Sequence, residues 1–235
     1  MVLFRLCLVL LSLVLSPVVL GEEGTVRIQP FEVVELSQEN FVRLVGEIDD
    51  VAASRFIQEL YTVSARTPVV TVYIDSPGGD VLAGMRIIDS VIGLKSVRPG
   101  LQLHCFAQNA ASMAFIFLQT ACERRIVSSF SVLMSHQASL GVRGKAGEVE
   151  SRLELVRQVL VVLDKRVAAR LGLSVQDYRA RIANDWWLVG VAGIAARAAD
   201  TLGVAACSAE LVAARECPLA YALPPEPSPS NKAKG

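Results

Sequence analysis

Ser112 and His136 are the residues of this 235-residue chain whose types and positions could carry out covalent chemistry. A serine hydroxyl becomes a nucleophile when a base takes its proton and nearby N–H groups hold the resulting oxyanion. The chain contains only two histidines, and we expect His136, within Met134-Ser135-His136-Gln137, to be the base. The glycine turn Asp75-Ser76-Pro77-Gly78-Gly79 could present bare N–H groups and let a substrate backbone come close to Gly78.

Ser112 stands in Asn109-Ala110-Ala111-Ser112-Met113-Ala114, where small alanines leave room around its hydroxyl. We expect a helix to begin there, and a helix N-terminus favours negative charge, which helps an oxyanion. Taken singly, the serine could be a helix cap, the histidine a structural loop residue and the glycine pair an ordinary turn. Because all three occur in order at the ends of predicted strands, where α/β proteins build their sites, they indicate one active site.

The elements that must position these residues alternate along the chain. Asp49-Asp50 and Asp80 are expected to start helices. Strands are predicted over 41–46, 69–74, 101–106, 125–127 and 131–134, and helices also over 112–122, 148–171, 175–181 and the Ala-rich stretch 190–203. This alternation predicts an α/β fold with a mainly parallel sheet.

The helix predicted over 148–171 is apolar on several faces, because Leu155 and Val161 widen the stripe formed by Leu153, Leu160 and Val167. Such a helix is buried on several faces. In a chain of this size a partner subunit would cover it, so we expect a homo-oligomer, with burial inside its own domain as the alternative.

The first 21 residues resemble an export signal, with Arg5 before an apolar run over 6–20 that is short for a membrane span. An uncleaved anchor is the alternative and the only expected link to a membrane. Cleavage would leave an arm over 22–40, a domain over 41–205 and an extension over 206–235 that ends in a disordered, proline-rich tail. We therefore expect a periplasmic or secreted protein.

Charge and cysteine content argue against nucleic-acid and metal binding and suit an oxidising compartment. Residues 1–21 hold one of 23 basic residues and none of 23 acidic ones, so removing them changes the net charge from 0 to −1, which gives no electrostatic footprint for nucleic acid. Cysteines occur in two local pairs that suit an oxidising compartment, with free thiols as the alternative: Cys105 with Cys122, and Cys207 with Cys217. None has metal-site spacing with a histidine, so we predict no metal.

The motifs together resemble the proteolytic subunit of Clp-type serine peptidases. The resemblance covers 42–200 and is carried by these segments: Gly46-Glu47-Ile48-Asp49-Asp50, Asp75-Ser76-Pro77-Gly78-Gly79-Asp80, Ala110-Ala111-Ser112-Met113-Ala114 and Met134-Ser135-His136-Gln137. It implies a crotonase-like spiral of ββα units, with the helix from Glu148 as a protruding handle. It also implies serine endopeptidase activity on unfolded or short polypeptides, with no cofactor.

The resemblance assigns roles to residues that the motifs alone do not. Ser112 would be the nucleophile, His136 the base, and Asp185, in Asn184-Asp185-Trp186, the third member of a triad that orients the imidazole. The N–H groups of Gly79 and Met113 would form the oxyanion hole. Gly141 and Val142, in Gly141-Val142-Arg143-Gly144, would shape the substrate groove.

Several departures from the family pattern keep other functions open. Gln108 and Asn109 stand before Ala110, near where the family has a glycine, and Ala138 replaces a proline. The segment before Val42 differs from the family's ATPase-facing segment, and an exported protein would lack ATP, so we expect no ATPase ring. The alternatives are an inactive scaffold, a Ser–Lys enzyme using Lys145, and, least fitting, a hydratase or isomerase acting on acyl-coenzyme A.

Overall fold

The computed structural model of the chain describes residues 32–139 and 143–220. Four predicted features fall outside these ranges: the signal over 1–21, part of the arm, the substrate contacts Gly141 and Val142, and the proline-rich tail. No helix within these ranges is long and apolar enough to cross a bilayer.

Within the described ranges, seven strands form one sheet in the order β1-β7-β5-β4-β3-β2, and β6 pairs with β5 at the side of this path. All neighbours are parallel except β6, which runs antiparallel to β5. The strands are Glu32–Leu36 (β1), Phe41–Val45 (β2), Val69–Ser76 (β3), Gln102–Ala111 (β4), Arg124–Ser135 (β5), Trp186–Val189 (β6) and Thr201–Cys207 (β7). This is the mainly parallel α/β architecture that the alternation predicts.

The helices begin where the sequence supplies caps. The Asp49 side chain accepts from the Ala52 N–H, and the Asp80 side chain accepts from the Ala83 N–H, each at 2.7 Å. The described helices are Asp50–Ser64 (α1), Val81–Val97 (α2), Met113–Ala121 (α3), Ala146–Leu171 (α4), Val175–Arg181 (α5), Val191–Ala195 (α6) and Ala209–Ala213 (α7), with a 3₁₀ turn at Pro218–Ala220.

Both faces of the sheet are covered. On one face, α1, α2, α3 and the C-terminal half of α4 bury a large core in which Phe56 and Phe117 meet edge to face at 5.5 Å. A smaller cluster on the other face contains the stacked rings of Tyr73 and Phe106 together with side chains from β1 and α7. The central strands are therefore apolar on both sides and firmly held.

The helix predicted over 190–203 is wrong for most of its length. The chain is helical only over Val191–Ala195, turns at Arg197 with φ +59°, and then forms β7 between β1 and β5. The Asp200 N–H donates to the Arg125 carbonyl at 2.8 Å, and the Asp200 carboxylate holds the buried Arg125 guanidinium. Pairing with two neighbouring strands therefore outweighs the weak helix preference of the alanines.

The long helix α4 has two unlike halves. Its buried residues lie toward the C-terminal end: Val159, Leu163, Val167, Ala168 and Leu171. Leu155, Val161 and Val162 remain between 41% and 50% exposed. The described chain thus leaves part of this helix's apolar surface uncovered.

Candidate active site

Ser112 occupies a sharp turn between β4 and α3. Its φ of +53° is unusual for a residue other than glycine, and such strained conformations concentrate at functional sites. The Ser112 N–H donates to the Met134 carbonyl at 2.9 Å, and its carbonyl accepts from the Ile116 N–H at 3.1 Å. The side chain does not cap the helix, so the strand-to-helix turn presents the hydroxyl outward, as a nucleophile elbow does.

His136 follows β5 directly and lies beside this turn. The parallel β4–β5 ladder pairs Ala111 with Met134, so both strands end at the same edge of the sheet. His136 Nε2 lies 2.8 Å from Ser112 Oγ, within hydrogen-bond distance. The other histidine, His104, is eight residues before Ser112 on β4 and contacts Gln102 instead. The structure therefore brings together the serine and histidine that the sequence selects.

Asp185 lies on the opposite side of the imidazole. The antiparallel β5–β6 ladder pairs Ser135 with Trp186, which places His136 across from Asp185. Asp185 Oδ1 is 3.8 Å from His136 Nδ1, and its side chain is 56% exposed. That distance is longer than a hydrogen bond, so the carboxylate faces the imidazole without binding it.

The neighbour of this carboxylate is better anchored than the carboxylate itself. The Trp186 ring packs against Phe115 of the nucleophile helix, with ring centroids 6.3 Å apart. The Arg181 guanidinium lies 5.1 Å over the same ring. The backbone at Asp185 is consequently held near the site, whereas its side chain is more than half exposed.

The glycine pair lies against the serine turn, as a close backbone approach requires. A Cβ on Gly78, whose φ is +94°, would come within 2.6 Å of the Ser112 Cβ. A Cβ on Gly79, whose φ is +150°, would collide with the Ile48 backbone. The Ile48 N–H donates to the Gly78 carbonyl at 2.8 Å and thereby holds the turn. Only glycine fits these two positions without a backbone shift.

Two N–H groups beside the hydroxyl are available to an oxyanion. The Gly78 N–H is used by Ser76 Oγ at 3.1 Å. In the part of the chain that the structure describes, the N–H groups of Gly79 and Met113 have no protein acceptor. Both flank Ser112, so they could bind an oxygen that becomes negative during attack.

A cleft of about 500 Å³ opens beside Ser112 and His136. Its walls combine hydrocarbon side chains with a few polar ones from α4 and α5. The lining residues are Gly79, Val81, Ser112, Met113, Ile116, His136, Gln137, Ala138, Ser139, Arg157, Leu160, Val161, Asp164, Tyr178, Arg179 and Ile182. The sequence reasoning did not identify the α4–α5 wall, because no local motif marks residues that only the tertiary fold brings to the site.

Tyr178 supports the strand that carries His136, and it too was missed. Its hydroxyl lies 2.8 Å from Ser135 Oγ, with both groups buried. Burial raises the pKa of Tyr178 to about 12, the hydrogen bond with Ser135 works against that rise, and the charge of Asp164 adds to it. The tyrosine stays neutral and ties α5 to the residue next to the base.

The cysteines form the two local pairs that the sequence suggested. Cys105 on β4 bonds to Cys122 just after α3, with Cα atoms 5.9 Å apart, so this bridge encloses the whole segment around Ser112. Cys207 at the end of β7 bonds to Cys217, with Cα atoms 5.8 Å apart. Across residues 32–139 and 143–220 no cluster of side chains could hold a metal ion.

Lys145, the alternative base, is exposed and precedes α4. It is not part of the cleft wall, whereas His136 is within bonding distance of the hydroxyl. The geometry therefore favours an imidazole base over an amine.

The comparison with protein families agrees with this site. The Clp protease family matches residues 27–212, which span all the elements that position Ser112, His136 and Asp185. The chain belongs to the Clp protease family, whose members are serine-type peptidases. This confirms the resemblance and the fold class that the motifs indicated.

Proposed function

We propose that the chain is an exported serine endopeptidase that hydrolyses peptide bonds in unfolded or short polypeptides without an ATPase ring. The observation that carries the proposal is the 2.8 Å contact between Ser112 Oγ and His136 Nε2 at a strained turn flanked by two free N–H groups. A structural serine or a helix cap needs none of these features.

The proposed reaction has two stages, acylation and deacylation of Ser112, and His136 accepts and then returns a proton in each. Ser112 Oγ attacks the substrate carbonyl carbon while His136 Nε2 takes the hydroxyl proton, and the N–H groups of Gly79 and Met113 hold the oxyanion. Collapse breaks the C–N bond, and the leaving amine takes the proton from the imidazole. Water then attacks the ester on Ser112, again through His136, and the acid product leaves. Asp185 would stabilise the imidazolium once its carboxylate approaches.

Export and independence from ATP rest on separate observations. The apolar run over 6–20 suits a cleaved signal. Two disulfides within one small domain suit an oxidising compartment such as the periplasm or the extracellular space. No ATP-driven unfolding would be available there, so substrates would have to enter already unfolded or short.

We also propose that copies of the chain associate. Part of α4 leaves Leu155, Val161 and Val162 exposed, and β6 exposes Trp187 and Val189 at 56% and 52%. Exposed apolar surface of this kind is typical of protein interfaces. Sedimentation of the purified protein at several concentrations tests this directly.

A fluorophosphonate probe tests the proposed function before any substrate is known. We expect the protein purified from Glu22 onward to be labelled at Ser112, located by peptide mapping. Ser112→Ala should abolish labelling, and His136→Ala should slow it by at least ~10³-fold. A folded protein that is never labelled would instead indicate the scaffold, and labelling that survives His136→Ala but not Lys145→Ala would indicate the Ser–Lys enzyme.

A further inference from the structure

The cleft beside Ser112 has a charged feature set into a hydrocarbon wall. Ile116, Leu160 and Ile182 provide apolar surface, whereas Asp164 provides a carboxylate whose side chain is only 13% exposed. The other charged groups from α4 and α5 are far more solvated, since Arg179 is 50% exposed and Arg157 is 71% exposed. Water screens exposed charges strongly and buried ones weakly, so Asp164 is the least screened of these charges, although it is paired with Arg179.

Only one of the two Asp164 carboxylate oxygens accepts a hydrogen bond from the described part of the protein. Its Oδ2 accepts from Arg179 Nε at 2.7 Å. Its Oδ1 has no donor among the residues that the structure describes. A carboxylate has capacity for several hydrogen bonds, and Oδ1 is left to the solvent of the cleft. A substrate group that donates a hydrogen bond can replace that solvent, whereas an apolar group that covers the oxygen removes it without replacement.

A purely structural ion pair between α4 and α5 would not need to face the cleft. Arg179 is half exposed, and exposed pairs add little stability. Asp164 lines the same cleft as Ser112, His136 and Tyr178, so it lies on the side of α4 that faces the site. Both observations fit a group placed to meet a substrate better than one placed to join two helices.

We propose that Asp164 selects the substrate side chain next to the bond that is cut, by accepting a hydrogen bond at Oδ1 from a donor at the end of that side chain. This rests on the proposed function. The hydrocarbon wall covers the stem and Asp164 meets the tip, so the preferred residues are long and unbranched with a terminal donor: lysine, arginine and glutamine. A purely apolar side chain of equal length leaves the carboxylate oxygen without a donor, and glutamate adds a repelling charge.

Matched covalent probes separate this selection from turnover. Three peptidyl diphenyl phosphonates, identical except for a lysine, norleucine or glutamate analogue at the phosphorus-bearing residue, react with the nucleophilic serine. They are applied to protein purified from cells that express the full chain, and labelling of Ser112 is followed by mass spectrometry. We expect the lysine probe to react about tenfold faster than the norleucine probe, which differs only by lacking the ammonium group.

Two substitutions connect that ratio to Asp164. Asp164→Asn keeps the size and removes the charge, and it should cut the lysine-to-norleucine ratio about tenfold. Arg179→Gln removes the competing cation and should raise the ratio. Glu150→Gln, an equal charge change at an exposed position of the same helix, is the control and should leave it unaltered.

Each result decides the matter. Equal rates for lysine and norleucine, a ratio that Asp164→Asn does not change, or a preference for glutamate would each overturn the role of Asp164 while Ser112 labelling upholds the peptidase. No labelling of Ser112 by any probe overturns the proposed function itself, and the selection with it. If Asp164→Asn does not fold, an unchanged ratio in Arg179→Gln overturns the selection.

Discussion

The two sides of the His136 imidazole differ in how firmly their partners are held. On the Nε2 side, Ser112 Oγ lies at 2.8 Å on a turn between β4 and a buried helix. On the Nδ1 side, Asp185 lies at 3.8 Å with more than half of its side chain in water. The nucleophile and base are therefore preorganised, whereas the acid stands nearby and unbonded.

The sheet explains this difference. β4 and β5 are central strands with neighbours on both sides, so the ends that carry Ser112 and His136 have little freedom. β6 has four residues and, among the residues that the structure describes, pairs only with β5; it leaves Trp187 and Val189 exposed. A short edge strand with an apolar outer face is open to covering by another chain. The member of the site with the most exposed side chain thus directly precedes this short strand.

The largest expected effect contrasts loss of the imidazole itself with loss of the carboxylate on its Nδ1 side. His136→Ala should slow reaction with peptides by at least ~10³-fold, because it removes the base. Asp185→Asn should cost about 10- to 100-fold, since a solvated carboxylate at 3.8 Å orients the ring weakly. The kcat values of purified variants check this, with unfolding curves to show that both remain folded.

The outcome for Asp185→Asn reveals the working geometry. A loss as large as that of His136→Ala would mean that the carboxylate closes onto the imidazole when substrate binds or copies associate. Asp89→Asn, which removes an exposed acid from α2, is the matched control and should leave kcat unchanged.

The well-held side of the site is also the side that sequence reasoning predicts best. Ser112, His136 and the glycine turn each follow a short β-branched or apolar run, and local patterns of this kind identify parallel strands and their ends. Asp49 and Asp80 mark their helix starts equally well, because capping depends on neighbouring residues alone.

The features that sequence patterns predict poorly depend on contacts between residues distant in sequence, which local patterns do not record. The alanines of 190–203 favour a helix by propensity, yet β7 forms because β1 and β5 supply hydrogen bonds from far along the chain. Likewise Asp164 and Arg179 meet only because α4 and α5 pack together. The family resemblance found Asp185, which no local motif marks as an acid of the site.

Removal of either disulfide is expected to have an effect of intermediate size. Cys105–Cys122 and Cys207–Cys217 link residues 17 and 10 positions apart, and closing loops of these lengths stabilises by similar amounts. Replacing either pair with alanines should therefore lower the free energy of unfolding by about 2–4 kcal/mol. Only the loss of Cys105–Cys122 should also slow probe labelling at Ser112, because that bridge encloses the serine turn.

Denaturant unfolding and labelling rates, measured on both double variants, separate stability from positioning. The Cys207→Ala/Cys217→Ala variant is the internal control, since its bridge closes a segment that contributes no residue to the cleft. If both variants lost labelling equally, the serine turn would depend on global stability and not on its own bridge.

The smallest expected effect concerns Tyr178, which ties α5 to Ser135, the residue before His136. Tyr178→Phe removes the hydrogen bond to Ser135 and leaves a buried hydroxyl without its partner, which should cost about 1 kcal/mol of unfolding free energy at neutral pH. We expect kcat to fall only severalfold, because the β4–β5 ladder still places His136. A fall as large as that of His136→Ala would instead show that the ladder alone cannot hold the base.

High pH gives Tyr178 a signature that a merely packed side chain lacks. Its pKa is raised to about 12 in the folded protein, against about 10 in the unfolded chain. The resulting stabilisation is complete below pH 10 and is lost as the pH rises toward 12. Burial, and to a smaller extent the Asp75 charge, raises the pKa of Tyr73 to about 12 as well. Its contribution to stability is lost over the same pH range in both proteins. Between pH 9 and 12, the free energy of unfolding should therefore fall more steeply with pH for the wild type than for Tyr178→Phe. Equal slopes would show that the tyrosine hydroxyl is not held neutral by the fold.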